Sequence, residues 1–127
     1  MEFNYLGKKV NTPSKNLDTF PTPANVTAVK FESDELTSLC PVTNQPDFNK
    51  IIIEFEPKKL CIESKSLKLY LWSFRSEAKF AETLAGEIAD DIFNAIHPHR
   101  VKITLIQGIR GGMQLSAVAE REPEVVF

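Results

Sequence analysis

Phe48-Asn-Lys-Ile-Ile-Ile-Glu-Phe-Glu56 and, a few residues on, Glu63-Ser-Lys-Ser-Leu-Lys-Leu-Tyr-Leu-Trp-Ser-Phe-Arg75 decide the fold, because the hydrophobic period changes between them. The β-branched centre of the first stretch favours an extended chain, and Pro57 ends it. In the second, Leu67, Leu71 and Phe74 share one helical face with Tyr70 beside them, which predicts a helix over 63–75. Downstream, Phe80, Leu84, Ile88 and Ile92 recur every fourth residue and Ile96 extends the stripe. This predicts a second helix over 77–96, stopped by Pro98. Gly86 sits inside that helix at a cost of about 1 kcal/mol against alanine. Upstream, Val29 and Phe31 alternate with Ala28, Lys30 and Glu32, a strand over 26–32. A loop over 33–47 follows, braced by Pro41 and Pro46. Two more strands close the pattern. One spans 100–107, with Val101, Ile103 and Leu105 opposed to Lys102, Thr104 and Ile106; the other carries Met113, Leu115, Ala117 and Ala119 beyond a turn at Gly108 to Gly112.

The order strand, strand, helix, helix, strand, strand predicts an α+β fold, an antiparallel sheet with two helices on one face. Four strands leave open edges, which oligomerisation usually covers. Residues 1–25 read as an irregular arm: Pro13, Pro21 and Pro23 interrupt regular bonding, and Phe3, Tyr5, Leu6, Leu17 and Phe20 are scattered apolar anchors. One domain is expected over 26–122, with a short acidic tail over 123–127.

Composition narrows the function classes. The chain has 127 residues, enough for one domain, with 43% hydrophobic and 25% charged residues, the values of an ordinary globular protein. Fifteen basic residues against seventeen acidic ones give a net charge of −2, which argues against a direct electrostatic grip on nucleic acid. No apolar run approaches the roughly 20 residues of a membrane span, and Met1 to Val10 lacks the apolar core of a signal peptide, so a cytoplasmic location is expected. In a reducing compartment Cys40 and Cys61 are free thiols.

Few residues could carry chemistry. Cys40 stands in Thr37-Ser-Leu-Cys-Pro-Val-Thr-Asn-Gln-Pro-Asp47, a polar, proline-braced setting that makes it a better nucleophile candidate than a cysteine on an apolar face; it is either that or an inert thiol. Cys61, between Leu60 and Ile62, reads as packing. Asp47 alone is a turn residue; paired with Cys40 it is a proton donor beside a thiol. Lys65 and Lys68, three apart, share a helical face that is either merely solvated or a phosphate site. Arg110-Gly-Gly112 is either a plain hairpin turn or an arginine placed to grip a phosphate. Glu82 is by default a solvent residue. His97 and His99, flanking Pro98, fit a helix C-terminus, and no Cys/His spacing suggests a zinc site.

Taken together, Cys40-Pro-Val-Thr-Asn-Gln-Pro-Asp47, Glu63-Ser-Lys-Ser-Leu-Lys-Leu-Tyr70 and Arg110-Gly-Gly112 resemble the queuosine-pathway nitrile reductase family, over about Tyr5 to Ala119. The resemblance implies the tunnelling fold, whose ββααββ units assemble into oligomeric barrels, here a homo-oligomer of two stacked pentamers with active sites between subunits. It implies NADPH-dependent reduction of 7-cyano-7-deazaguanine, a free small molecule, to the aminomethyl compound. Cys40 would match the nucleophile that forms a thioimide, and Asp47 the proton donor. Ile62, Glu63 and Ser64 would line the base pocket, Glu82 would recognise the deazapurine edge, and Lys65, Lys68 and Arg110 would hold the NADPH phosphates. Ala81 departs from the pattern, since the family has a histidine just before the recognition glutamate. That departure leaves two alternatives to reduction: an amidine-forming enzyme using the same thioimide, and an impaired deazapurine-binding homologue. The complete cofactor motif favours reduction.

Overall fold

A computed structural model describes residues 2–125. Six strands and two helices follow in the order β1 (Thr19–Pro21), β2 (Val29–Leu39), β3 (Pro46–Glu56), β4 (Leu60–Ile62), α1 (Ser64–Trp72), α2 (Ala81–Ile96), β5 (Arg100–Gln107) and β6 (Ser116–Arg121). The main sheet is antiparallel in the order β2-β3-β5-β6, so the expected ββααββ pattern is observed. Ile51, Ile53 and Phe55 of β3 and Val101, Ile103 and Leu105 of β5 turn one face inward, and Leu84, Ile88, Ile92 and Ile96 of α2 and Leu67, Tyr70 and Leu71 of α1 complete the core. The buried Tyr70 hydroxyl donates to Asp91 Oδ2 at 2.5 Å, joining the two helices. Burial first, then the Asp91 carboxylate, drive the phenol's pKa far above its ordinary value. Cys61 is buried among these side chains. Among the described residues no helix is long and apolar enough to cross a membrane.

Several boundaries differ from the sequence reading. β2 continues to Leu39 instead of ending near Glu32, because the register shifts between Ser33 and Leu36. A bulge there resets the alternation, so Leu36 and Ser38 point inward where a simple period fails. β3 starts at Pro46, a first-strand position that tolerates proline. Asp47 therefore belongs to a strand and not to the loop. α2 starts later than expected because the chain before it zips along β2: Leu39 N–H donates to Glu77 O at 2.9 Å and Lys79 N–H to Leu39 O at 3.1 Å. His97 ends α2 in the left-handed region at φ 45°, where the following Pro98 disfavours continued helix. The last strand begins at Ser116, and Met113 pairs instead with Arg110 across the turn.

The arm, expected to be irregular throughout 1–25, contains β1, which pairs with β4 through Thr19↔Ile62, Phe20↔Cys61 and Pro21↔Leu60. Three residues ending in proline carry no legible alternation, and β4 was hidden for the same reason. Residues 123–125 form no regular structure, and the last two of the expected tail lie outside the described residues.

Candidate active site

The chemistry-bearing residues fall into two groups. The first stands at the mouth of the β2–β3 hairpin. Cys40 opens the six-residue connection between Leu39 and Pro46, which are themselves register partners. The connection is tied internally: Cys40 N–H donates to Gln45 O at 2.8 Å, and Asn44 N–H to Cys40 O at 2.8 Å. Asn44 takes φ 60°, a left-handed position that asparagine tolerates. The loop so folded leaves Cys40 a partly buried free thiol. The Thr43 hydroxyl first, then the N–H groups of Thr43 and Val42, lower the thiol's pKa, opposed by burial and by the charge of Asp47. Hydrogen bonds to the charged form are what favour a thiolate.

Asp47 lies across the ladder from Ser38 and is 3% exposed. Inward positions on β3 alternate Asp47, Asn49, Ile51, so the polar pair continues the core face to its end. Asn49 Nδ2 donates to the buried Ser38 Oγ at 3.4 Å, while Asn49 Oδ1 has no partner. The Arg110 guanidinium meets Asp47 Oδ1 as an ion pair, without the alignment of a hydrogen bond, and donates to Pro46 O at 2.9 Å. Gly111 and Gly112, at φ 55° and 75°, allow the turn that brings it there. Because residues 77–79 bond to Leu39, the start of α2 also arrives at this end of the sheet. Ala81 is buried at 3% exposure and Glu82 is exposed in the first turn, where a carboxylate suits the helix dipole.

The second group surrounds the start of α1. Glu63 caps the helix: its carboxylate accepts from Lys65 N–H at 2.6 Å and Ser66 N–H at 2.9 Å. That side chain is thus committed to the helix end. Ile62 and Glu63 are buried, while Ser64 is exposed. Ser64, Lys65 and Lys68 line a cavity of about 850 Å³ between α1 and β2, whose other walls include Val10, Asn11, Glu35 and Trp72. Glu32 of β2 lines it as well as Glu35, so the two ammonium groups suit an anionic group only at the α1 wall.

The chain therefore brings Cys40, Asp47, Arg110, Ala81 and Glu82 to one end of the sheet, and Ile62 to Lys68 to another place. Arg110 is not a wall of the lysine-lined cavity. Thr43, Ser38 and Asn49 escaped the sequence reading. A β3 start at Pro46 would have turned Asn49 inward by alternation; nothing in the sequence marks Thr43 as a donor to sulfur.

The profile of the family described as QueF-like protein matches residues 46–125, more than half of the chain. An NADPH-dependent 7-cyano-7-deazaguanine reductase of Nitrosospira multiformis is 44% identical over 110 residues, 85% of this chain and 79% of the relative. Enzymes of the same name from Thiobacillus denitrificans and Alkalilimnicola ehrlichii are 41% and 44% identical, over 90% and 87% of this chain and 84% and 88% of theirs. The crystal structure of the archaeosine synthase QueF-Like in the apo form superposes with a TM-score of 0.71 at 23% identity, covering 76% of this chain and 94% of that one. This last likeness speaks for the α+β tunnelling fold alone. With its Cys40-to-Asp47 hairpin, its Glu63-to-Tyr70 helix start and relatives this similar over most of its length, the chain belongs to the QueF-like family.

Proposed function

We propose that the chain, like the relatives named NADPH-dependent 7-cyano-7-deazaguanine reductases, acts on that nitrile with NADPH, and that it reduces it to the aminomethyl group in queuosine biosynthesis. The observation that carries this reading is the placement of Cys40 at the mouth of the hairpin, its main chain tied to Gln45 and Asn44, with the buried Asp47 on the adjoining strand. A nitrile is a poor hydride acceptor, and covalent catalysis improves it. The Cys40 sulfur bonds to the nitrile carbon as the thiol proton passes to nitrogen, with Asp47 placed to relay it, giving a thioimide. Two NADPH molecules, bound in turn, would each supply one hydride to the nitrile carbon. After the first, the C–S bond breaks, the thiolate returns to its donors and an imine remains; after the second, the amine is complete. Asp47, released from Arg110 and protonated from solvent, passes on the protons that nitrogen takes up beyond the thiol's own, and solvent reprotonates the Cys40 thiolate. Ala81 contributes no polar group, so on this reading proton delivery rests on Asp47.

Ile62, Glu63 and Ser64 line the base pocket, and Glu82 holds the deazapurine edge. Lys65, Lys68 and Arg110 hold the phosphates, Arg110 exchanging its contact with Asp47 for them. The separation of the two groups supports a site built between subunits of a homo-oligomer, a decamer of two stacked pentamers. The open edges of β2 and β6 and the exposed Phe48 and Val118 on the uncovered sheet face support the same assembly. The test is NADPH absorbance on addition of 7-cyano-7-deazaguanine. Two cofactors oxidised per nitrile, with none oxidised by Cys40→Ala, is the expected result. No oxidation by the folded wild-type chain would overturn the reading.

A further inference from the structure

The arm is fastened to the start of α1 more thoroughly than a trailing segment needs. Asp18 is 5% exposed, and its carboxylate accepts from Asn4 N–H at 2.8 Å, Asn4 Nδ2 at 2.5 Å and Tyr5 N–H at 3.3 Å. Its own main chain is fixed to the helix start: Asp18 N–H donates to the buried Ser66 Oγ at 2.9 Å, and Asp18 O accepts from Glu63 N–H at 2.9 Å. Ser66 Oγ in turn donates to Glu63 O at 2.8 Å. Further along, Ser14 N–H donates to Leu69 O at 3.3 Å, and the Lys65 ammonium donates to Lys8 O. Between these fastenings lie Val10 and Asn11, which face the cavity that Lys65 and Lys68 line.

We infer that the arm is a wall of the dinucleotide site and that Asp18 is the positioning residue that sets it there. The inference rests on the reading that Lys65 and Lys68 hold NADPH. Without the arm, one side of the cavity opens to water, where the attraction of exposed lysines for phosphate is weak and screened. With the arm in place, Lys65 is oriented by Lys8 O, Val10 offers an apolar surface to a base, and Asn11 offers an amide to a ribose or base edge. Asp18 itself touches no ligand. It acts by fixing Asn4 and Tyr5 on one side and Ser66 on the other.

The test uses the full chain bearing Asp18→Asn, beside a chain lacking residues 1–11. Cofactor binding is read by NADPH fluorescence, NADPH KM and kcat by steady-state kinetics, and the Cys40 adduct with the nitrile by intact mass without cofactor. The expected result is an NADPH KM and Kd raised about tenfold, the equivalent of about 1.4 kcal/mol, with kcat and adduct formation near wild type. A wild-type chain that does not bind NADPH would sink the reductase reading itself. Wild-type binding with unchanged binding in folded Asp18→Asn would overturn the role of the arm alone. So would a fall in kcat or adduct formation at constant KM, which would assign Asp18 to general stability.

Discussion

At the scale of single residues, the Thr43 hydroxyl is the foremost cause of the lowered Cys40 thiol pKa. The sign follows directly. Donors lower the pKa by stabilising the thiolate, so removing one raises it, and less thiolate remains at neutral pH. Thr43→Val should therefore slow iodoacetamide alkylation of Cys40 near pH 7 and shift the rate-against-pH curve to higher pH. A curve that stays in place would remove the hydroxyl from the account. Cys61, buried in the core, serves as an internal control that should not react in the folded chain. Cys40 and Asp47 stood out in the sequence as a thiol and a carboxylate on one proline-braced segment, and their roles were implied by the resemblance. Thr43 did not stand out, because a hydroxyl three residues from a thiol points at it only once the loop has closed through Asn44.

At the scale of elements, α1 and α2 show what periodicity can and cannot give. The stripe Phe80, Leu84, Ile88, Ile92, Ile96 located α2; its last four members are buried under the sheet, while Phe80 stands at the N-cap and is exposed. The start was misplaced because residues 77–79 find backbone partners on Leu39, a contact between segments far apart in sequence. The same limit hid β1 and β4, each too short to show a period, and lost β2 at its bulge. Gly86 offers a test of how far local preference holds. An added Cβ there meets nothing within 4 Å, so the helix forgoes propensity without any close approach to justify it. Gly86→Ala should stabilise the chain by about 1 kcal/mol in urea unfolding. A loss of stability would show that the surface around Gly86 is occupied in the assembled protein.

For the whole molecule, the separation of Cys40 from Lys65 and Lys68 makes a prediction about mixtures. If each site takes its thiol from one subunit and its phosphate lysines from the next, Cys40→Ala and Lys65→Ala/Lys68→Ala chains should be inactive alone. Once mixed and reassembled, they should recover roughly a quarter of wild-type activity, because random pairing rebuilds that share of sites. Mixtures that stay inactive would place a complete site within one subunit. The ββααββ order was readable from hydrophobic period, whereas the assembly was implied only by the family resemblance; the division of the site was not legible, since sequence order says nothing of which cavity a residue faces.

The pairing of β1 with β4 has a consequence in time. Thr19 meets Ile62 across more than forty intervening positions, whereas β2 meets β3, and β5 meets β6, across short connections. Closing the longer loop costs more chain entropy and rewards only a three-residue ladder. The hairpins should form early and the arm should dock last, after α1 exists to receive it. Read in reverse, the docked arm is the part most readily released by thermal fluctuation while the rest stays folded. The hairpin that holds the thiol would then be the durable part of the molecule, and the wall beside Lys65 the part that breathes.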